Sequence, residues 1–250
     1  MKKLVSLNDR FHEFLRTYSG SEEIDKLRLT IDQQRKQKAD FFLSNREAIC
    51  EVKRIFEGPS AKIDDFVGKL QERDDWPIIM GASQPLSRVI RNFPDREEIE
   101  KKFNEKFSRS IEKSIQDANS QIRDTKETFF LPDASGILVF LNETTHLLTP
   151  KIVAHRISRS LLKVVPPNGG PRFPFVSEVL VIDMAHFQKE GEGVFSFPIF
   201  AIENPQAGNS KAREIANQLM QAWPRFDGFE ARHAVWGGME MEFFAAIQVP

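Results

Sequence analysis

Residues 38–54 read KADFFLSNREAICEVKR, and this stretch decides the fold. Apolar residues at 41–43 and at 48–50 and 52 flank the polar Ser-Asn-Arg-Glu at 44–47, a composition typical of turns. The pattern predicts two short strands joined as a β-hairpin. Within the second strand Glu51 and Lys53 are two residues apart, so both side chains point to the same face of the sheet.

Three charged side chains interrupt this otherwise apolar hairpin: Asp40, Glu51 and Lys53. Charges are costly to bury unless they are paired or bind a ligand. Two carboxylates on neighbouring strands can hold a hard divalent cation such as Mg²⁺, and an adjacent lysine can then orient or deprotonate a water, or offset charge on a phosphate. The alternative is a solvated pair, in which Asp40 only begins a strand and Glu51 bonds Lys53 on a polar face.

Asp40, a gap of ten residues, and the tripeptide Glu51-Val52-Lys53 resemble the signature of the PD-(D/E)xK, or restriction-endonuclease-like, nucleases. Ala39 stands where that signature usually has proline. The resemblance implies hydrolysis of phosphodiester bonds, in DNA, with Mg²⁺ or Mn²⁺ as cofactor. Asp40, Glu51 and the backbone carbonyl of Val52 would bind the metal, and Lys53 would position the attacking water or stabilise the phosphate.

The same resemblance implies support from two helices. A Gln or Lys near the end of the helix after the second strand commonly supports the metal-bound water, and Gln121 and Lys126 lie at the matching end here; we carry over Gln121. A preceding helix often donates one more acid. Spacing does not choose among the candidates, which are Glu13, Glu22, Glu23 and Asp32.

Two further patterns predict the core order of that fold. Ile99, Phe103, Phe107, Ile111, Ile115, Ala118 and Ile122 recur at intervals of three or four, which predicts a long amphipathic helix with Asp95 as its N-cap. Residues 136–141 form a continuous apolar run, typical of a central parallel strand buried on both faces. Hairpin, helix and buried strand therefore predict an α/β fold, a mixed β-sheet flanked by helices with a restriction-endonuclease-like α-ββ-α-β core.

The rest of the chain predicts elements around this core, within a single domain of residues 1–250. Helices are predicted over 4–18, from Ser21 onward, over 151–164 after Thr149-Pro150, and from Asn209 or Ser210 to about 222. Strands are predicted over 179–184, over 194–202 with Pro198 marking a sheet edge, and within 239–249. The core spans about 38–141, an insertion about 57–93, and a C-terminal extension about 145–250.

The composition of the chain bears on its partners and on its location in the cell. The 250 residues carry a formal net charge of −1, so no global basic field indicates nucleic acid, although this value does not exclude a local basic groove. His155, Arg156 and Arg159 on the predicted 151–164 helix either form a solvated helix face or contact DNA phosphates. The single cysteine, Cys50, lies at an apolar strand position and is expected to be buried. With no apolar run approaching a membrane span and no secretion signal, we expect a cytoplasmic protein without a membrane partner.

Three hypotheses follow. The first is a Mg²⁺-dependent endonuclease or exonuclease acting on DNA. The second is a catalytically inactive binding or scaffold protein that keeps the nuclease-like fold. The third is an enzyme that uses His146, His155 or His186, whose spacing does not converge on one site. The sequence leaves open whether the chain acts alone or as a homodimer.

Overall fold

The hairpin predicted within residues 38–54 forms, and a nine-stranded mixed sheet is built around it. The computed structural model describes residues 5–31, 33, 36–55, 60–77, 89–144, 148–165, 169–189, 195–234 and 243–248. Its α-helices are α1 (Leu7–Thr17), α2 (Ser60–Gln71), α3 (Arg96–Phe129), α4 (Pro150–Leu161) and α5 (Ser210–Phe226). The α/β class is therefore confirmed.

The strands of the main sheet run in the order β1-β2-β3-β4-β7-β9-β11-β10, and β8 also pairs with β9. Strands β5 (Val164–Val165) and β6 (Gly170–Pro171) form a separate pair. The main-sheet strands are β1 (Glu22–Glu23), β2 (Phe41–Leu43), β3 (Ala48–Arg54), β4 (Ser135–Asn142), β7 (Glu178–Asp183), β8 (Gln188–Lys189), β9 (Phe195–Glu203), β10 (Glu230–Ala234) and β11 (Phe243–Gln248).

Strand direction follows the connections. The tight turn makes β2 antiparallel to β3, whereas the long crossover through α3 makes β4 parallel to β3. Strand β7 continues the parallel set, and the remaining strands β9, β11 and β10 are antiparallel to their neighbours. All eight residues of β4 are buried, as the prediction of a central parallel strand requires.

Two apolar layers cover the sheet. Alternate residues of β3 divide between them: Ile49 packs with α3 and α4, whereas Ala48, Cys50 and Val52 pack with α1 and α5. Free Cys50 is buried, as predicted. The α3 stripe is also confirmed at its described positions, which are Ile99, Phe103, Ile111, Ile115, Ala118 and Ile122; the Phe107 side chain lies outside the described set.

The predicted helix from Ser21 is wrong. Glu22 and Glu23 instead pair with β2 as strand β1, and a single 3₁₀ turn follows at Ile24–Lys26. Their carboxylates are held by ion pairs, Glu22 with Arg46 at 2.7 Å and Glu23 with Arg16 at 2.8 Å, which favours the extended backbone over a helical turn.

Three other predictions need correction. Pro198 does not mark a sheet edge, because β9 lies between β7 and β11. On one side of β9, strand β7 pairs from Ile199 onward and strand β8 pairs as far as Ser196. Pro198 lies in the gap between these two pairings, so its missing N–H is not needed on that side. The helix predicted over 151–164 ends earlier, at Leu161, and Leu162 just beyond it is 57% exposed. Helix α5 continues to Phe226, with Pro224 in its last turn rather than beyond its end.

The other helices follow the sequence more closely. Ser6 caps α1, Thr149 caps α4 with Pro150 as its first residue, and Asn209 caps α5. Asp95 occupies the N-cap of α3, but its carboxylate bonds Arg73 rather than the helix. Among the described residues no helix combines the length and apolar character needed to span a bilayer.

Candidate metal and catalytic site

Glu51 and Lys53 lie on the face of β3 that packs under α3, next to Ile49. The register pairs Phe41 with Cys50, so Asp40 follows directly opposite Glu51 at the end of the hairpin. Residues directly opposite each other in antiparallel strands project to the same face. The sheet therefore brings the three predicted site residues to one place, as the hairpin pattern required.

Asp40 occupies the point where β2 stops pairing. Its Oδ2 accepts a hydrogen bond from the Val52 N–H at 2.7 Å, in place of the backbone acceptor that a longer β2 would supply. Because the N–H and C=O of one strand residue face the same neighbour, the Val52 carbonyl is directed to the same open side. Burial raises the pKa of Asp40, although the bond from Val52 opposes that change.

Glu51 is the most unusual group of the site. It is 1% exposed, and one oxygen, Oε1, forms an ion pair with Lys53 Nζ at 2.6 Å. The other oxygen, Oε2, is buried without a hydrogen-bond partner among the described residues. Burial and, second, the charge of Asp40 raise the pKa of Glu51 to about 8, even though Lys53 acts in the opposite direction.

Gln121 reaches this site from α3, as predicted. Its Nε2 donates to the Lys38 carbonyl at 3.0 Å, and the side chain is close enough to Glu51 to lower the pKa of that carboxyl. Lys126, the other residue considered at this end of α3, lies elsewhere: its ammonium is 3.4 Å from the Pro132 carbonyl and 5.8 Å from the Phe175 ring centre. Of the two candidates, Gln121 is therefore the one that lies next to Glu51.

The described N-terminal acids are engaged elsewhere. Glu13 and Glu23 bind Arg16, and Glu22 binds Arg46, whereas Asp32 lies outside the described residues. Besides the Val52 N–H, the groups that act on Asp40 are His12 and Lys53, which lower the pKa of its carboxyl, and Asp25, which raises it. Sequence reasoning missed His12 and Asp25, because only the packing of α1 and the fold of the segment after it bring them to the hairpin.

The histidines do not form a competing site in the described residues. His186 Nδ1 bonds the buried Asp183 at 2.9 Å, an arrangement typical of a hydrogen-bonded structural residue. His155 is exposed on α4 and His146 lies outside the described set. Arg159 is exposed and Arg156 half-buried on the same outer side of α4. The histidine hypothesis thus gains no geometric support.

No group of three or more His, Cys, Asp or Glu in the described part of the chain is arranged to hold a metal ion. The proposed ligands are two such residues, Asp40 and Glu51, together with the backbone carbonyl of Val52, so this finding does not test them. Comparison of the chain with family models, with curated proteins and with solved structures gives no match. The geometry of the site alone therefore supports the function proposed below.

Proposed function

We propose that this protein is a metal-dependent nuclease that hydrolyses phosphodiester bonds in DNA. The observation that carries the proposal is the convergence of Asp40, Glu51 and Lys53 on one face of the hairpin, with Glu51 buried and paired to Lys53 at 2.6 Å. The order α1, β2, β3, α3, β4, with β4 parallel to β3, agrees with a restriction-endonuclease-like core. We keep Mg²⁺ or Mn²⁺ as the proposed cofactor.

The residues present fit such a cation. Glu51 Oε2 is a buried carboxylate oxygen without a hydrogen-bond partner in the described structure, and a hard cation supplies the positive charge it lacks. Burial raises the pKa of both Glu51 and Asp40, and the charge of Asp40 raises that of Glu51 further, so a positive charge between them would stabilise the ionised forms. Asp40, Glu51 and the Val52 carbonyl would be the protein ligands.

A bound divalent cation supplies Lewis-acid polarisation of the phosphodiester and a more acidic water. The Lys53 ammonium lies beside Glu51 and offsets the negative charge that develops on the phosphate during in-line attack by water. Gln121 holds the segment that leads into the hairpin and orients Glu51 from the helix side. The attacking oxygen forms the new bond to phosphorus while the bond to the leaving sugar oxygen breaks.

The decisive test compares wild type with Lys53→Ala on linear, circular and branched DNA, with Mg²⁺ or Mn²⁺. We expect the variant to lose cleavage by about 10²-fold or more, because it lacks the charge that stabilises the transition state. Lys102→Ala is the matched control, since Lys102 bonds Glu98 on the exposed side of α3 and should leave cleavage unchanged. Cleavage by Lys53→Ala at the wild-type rate would refute the proposed nuclease site.

A second candidate is a binding or scaffold protein of the same fold. The closed Glu51–Lys53 pair favours it, because the lysine already occupies one oxygen of the carboxylate. Calorimetric titration with Mn²⁺ separates the two candidates. A nuclease binds Mn²⁺ in a way that Asp40→Asn and Glu51→Gln abolish, whereas a scaffold shows no site that depends on these residues. Analytical ultracentrifugation of the same sample decides between a monomer and a homodimer.

A further inference from the structure

One turn of α3 grips both polar groups of a single peptide unit, the one that joins Lys38 to Ala39. The Lys38 carbonyl accepts from Gln121 Nε2 at 3.0 Å, and the Ala39 N–H donates to Thr125 Oγ1 at 2.9 Å. Thr125 Oγ1 in turn donates to the Gln121 carbonyl at 2.7 Å. Residues four apart share a helix face, so Gln121 and Thr125 act as one clamp.

The clamp is shielded from water. Thr125 is fully buried and Ala39 is 2% exposed, so the bond between them has no solvent competitor. A buried N–H that loses its partner is destabilising, so the native orientation of this peptide is strongly preferred. This peptide unit lies one unit before the one that carries the Asp40 N–H, so its orientation limits how the backbone enters Asp40.

The residues after the clamp are fixed as well. The Asp40 N–H donates to the Cys50 carbonyl at 3.2 Å, and the Asp40 carbonyl accepts from the Ile24 N–H at 2.9 Å. Peptide 38–39 thus fixes the residue that leads into Asp40, while the hydrogen bonds of Asp40 itself fix the backbone on both sides of its carboxylate. A proline at position 39 would restrict the backbone dihedral φ but could not donate to Thr125, because it has no N–H. Alanine keeps the donor, and the chain uses it.

We infer that Thr125 is a positioning residue, which holds the Asp40 carboxylate in place for a divalent cation through its bond to the Ala39 N–H. The inference rests on the proposed function. Groups that orient a metal ligand without touching the metal typically contribute 10–100-fold to metal affinity. Thr125 was not among the site residues predicted from the sequence, because its role depends on the backbone of a segment 86 residues away.

The test is a calorimetric Mn²⁺ titration of wild type and three variants. Thr125→Val keeps the shape but lacks the hydroxyl, and we expect it to weaken Mn²⁺ binding about tenfold or more. Thr125→Ser keeps the hydroxyl and should restore wild-type affinity. Thr128→Val is the matched control, because Thr128 is a buried threonine of the same helix whose Oγ1 bonds nothing in the described residues. It should bind Mn²⁺ as the wild type does.

Each result has a distinct meaning. Mn²⁺ binding by the wild type that Thr125→Val retains in full would overturn the positioning role and leave the proposed function intact. An absence of Mn²⁺ binding by the wild type would overturn the proposed function and the positioning role together. Circular dichroism checks folding, and where Thr125→Val is unfolded, Thr125→Ala takes its place: it should bind about tenfold more weakly than Thr125→Ser, and equal affinities would refute the clamp.

Discussion

Glu51→Gln should stabilise the metal-free protein, and increasingly so as the pH rises. The pKa of Glu51 is raised from 4.5 to about 8 by burial and by Asp40, so the folded protein holds a proton on this group that the unfolded chain has released. Between these two pH values the native state binds more protons than the unfolded state, and the free energy of unfolding therefore falls as the pH rises. Glutamine is neutral throughout and removes this loss.

The size of the effect follows from the same numbers. A displacement from 4.5 to about 8 corresponds to a loss of about 3 kcal/mol at pH 7 and about 5 kcal/mol above pH 9. The variant also loses the ion pair to Lys53, which is 17% exposed and can turn its ammonium toward water. Losing the ion pair shifts the free energy of unfolding of the variant by a similar amount at every pH. The difference between Glu51→Gln and the wild type should still grow by about 4 kcal/mol between pH 5 and pH 9.

Urea unfolding at intervals from pH 5 to pH 9, in the presence of a chelator, measures this difference. Glu98→Gln is the control, because its partner is Lys102 on an exposed helix surface and its curve should run parallel to that of the wild type. If the free energy of unfolding of Glu51→Gln also ran parallel to that of the wild type across this pH range, Glu51 would not be a buried ionisable carboxyl with a raised pKa. With Mn²⁺ at about 1,000 times its dissociation constant the order should reverse at pH 7, since such a ligand adds about 4.1 kcal/mol to the protein that binds it, more than the loss of about 3 kcal/mol.

Two further predictions test the fold and a second buried acid. Gly136→Ala should unfold the protein or destabilise it by more than about 3 kcal/mol, because a Cβ there would lie 1.8 Å from the Phe175 carbonyl oxygen. Thermal melting checks this, and a melting temperature equal to that of the wild type would contradict the packing of β4. Burial raises the pKa of Glu178 to about 7 despite Arg213, so this group adds to the fall in stability from pH 4.5 to 7 that Glu51 also causes, and Glu178→Gln should make that fall smaller. Urea unfolding measures the slope, with an unchanged Mn²⁺ response expected; a fall as steep as that of the wild type would count against the prediction.

The sequence predicts well those elements whose pattern is local. Residues 41–52 alternate between the two sheet faces and enclose four turn-forming residues, which is sufficient to define the hairpin. The α3 stripe and the apolar run 136–141 within β4 are equally legible, because each pattern is longer than chance readily produces. The shared face of Glu51 and Lys53 follows from their spacing of two, whereas the position of Asp40 opposite Glu51 follows from the register of the hairpin.

What the sequence misses depends on partners that are distant in the chain. The Ser21 segment has the composition of a helix start, yet ion pairs of Glu22 and Glu23 with Arg46 and Arg16 place it at the sheet edge. Spacing also does not reveal that α3 buries Glu51, since an alternating strand is compatible with a solvated Glu-Lys pair. The role of Thr125 is hidden likewise, because a threonine in a helix usually has a purely local role.

The burial of Glu51 is itself the strongest argument about what the site is for. A buried ion pair is often no more stabilising than apolar residues of the same volume, and one with an unsatisfied oxygen is less so. A loss of about 3 kcal/mol at pH 7 is a large share of the 5–15 kcal/mol by which folded domains are usually stable. An arrangement that weakens the fold to this extent is expected where a ligand restores the balance. The proposed hard cation between Asp40 and Glu51 would do so directly, because it would add positive charge beside both carboxylates. A scaffold gains nothing from a buried, destabilising carboxylate. A pH-dependent instability that Mn²⁺ abolishes would therefore favour the nuclease over the scaffold even before DNA is added.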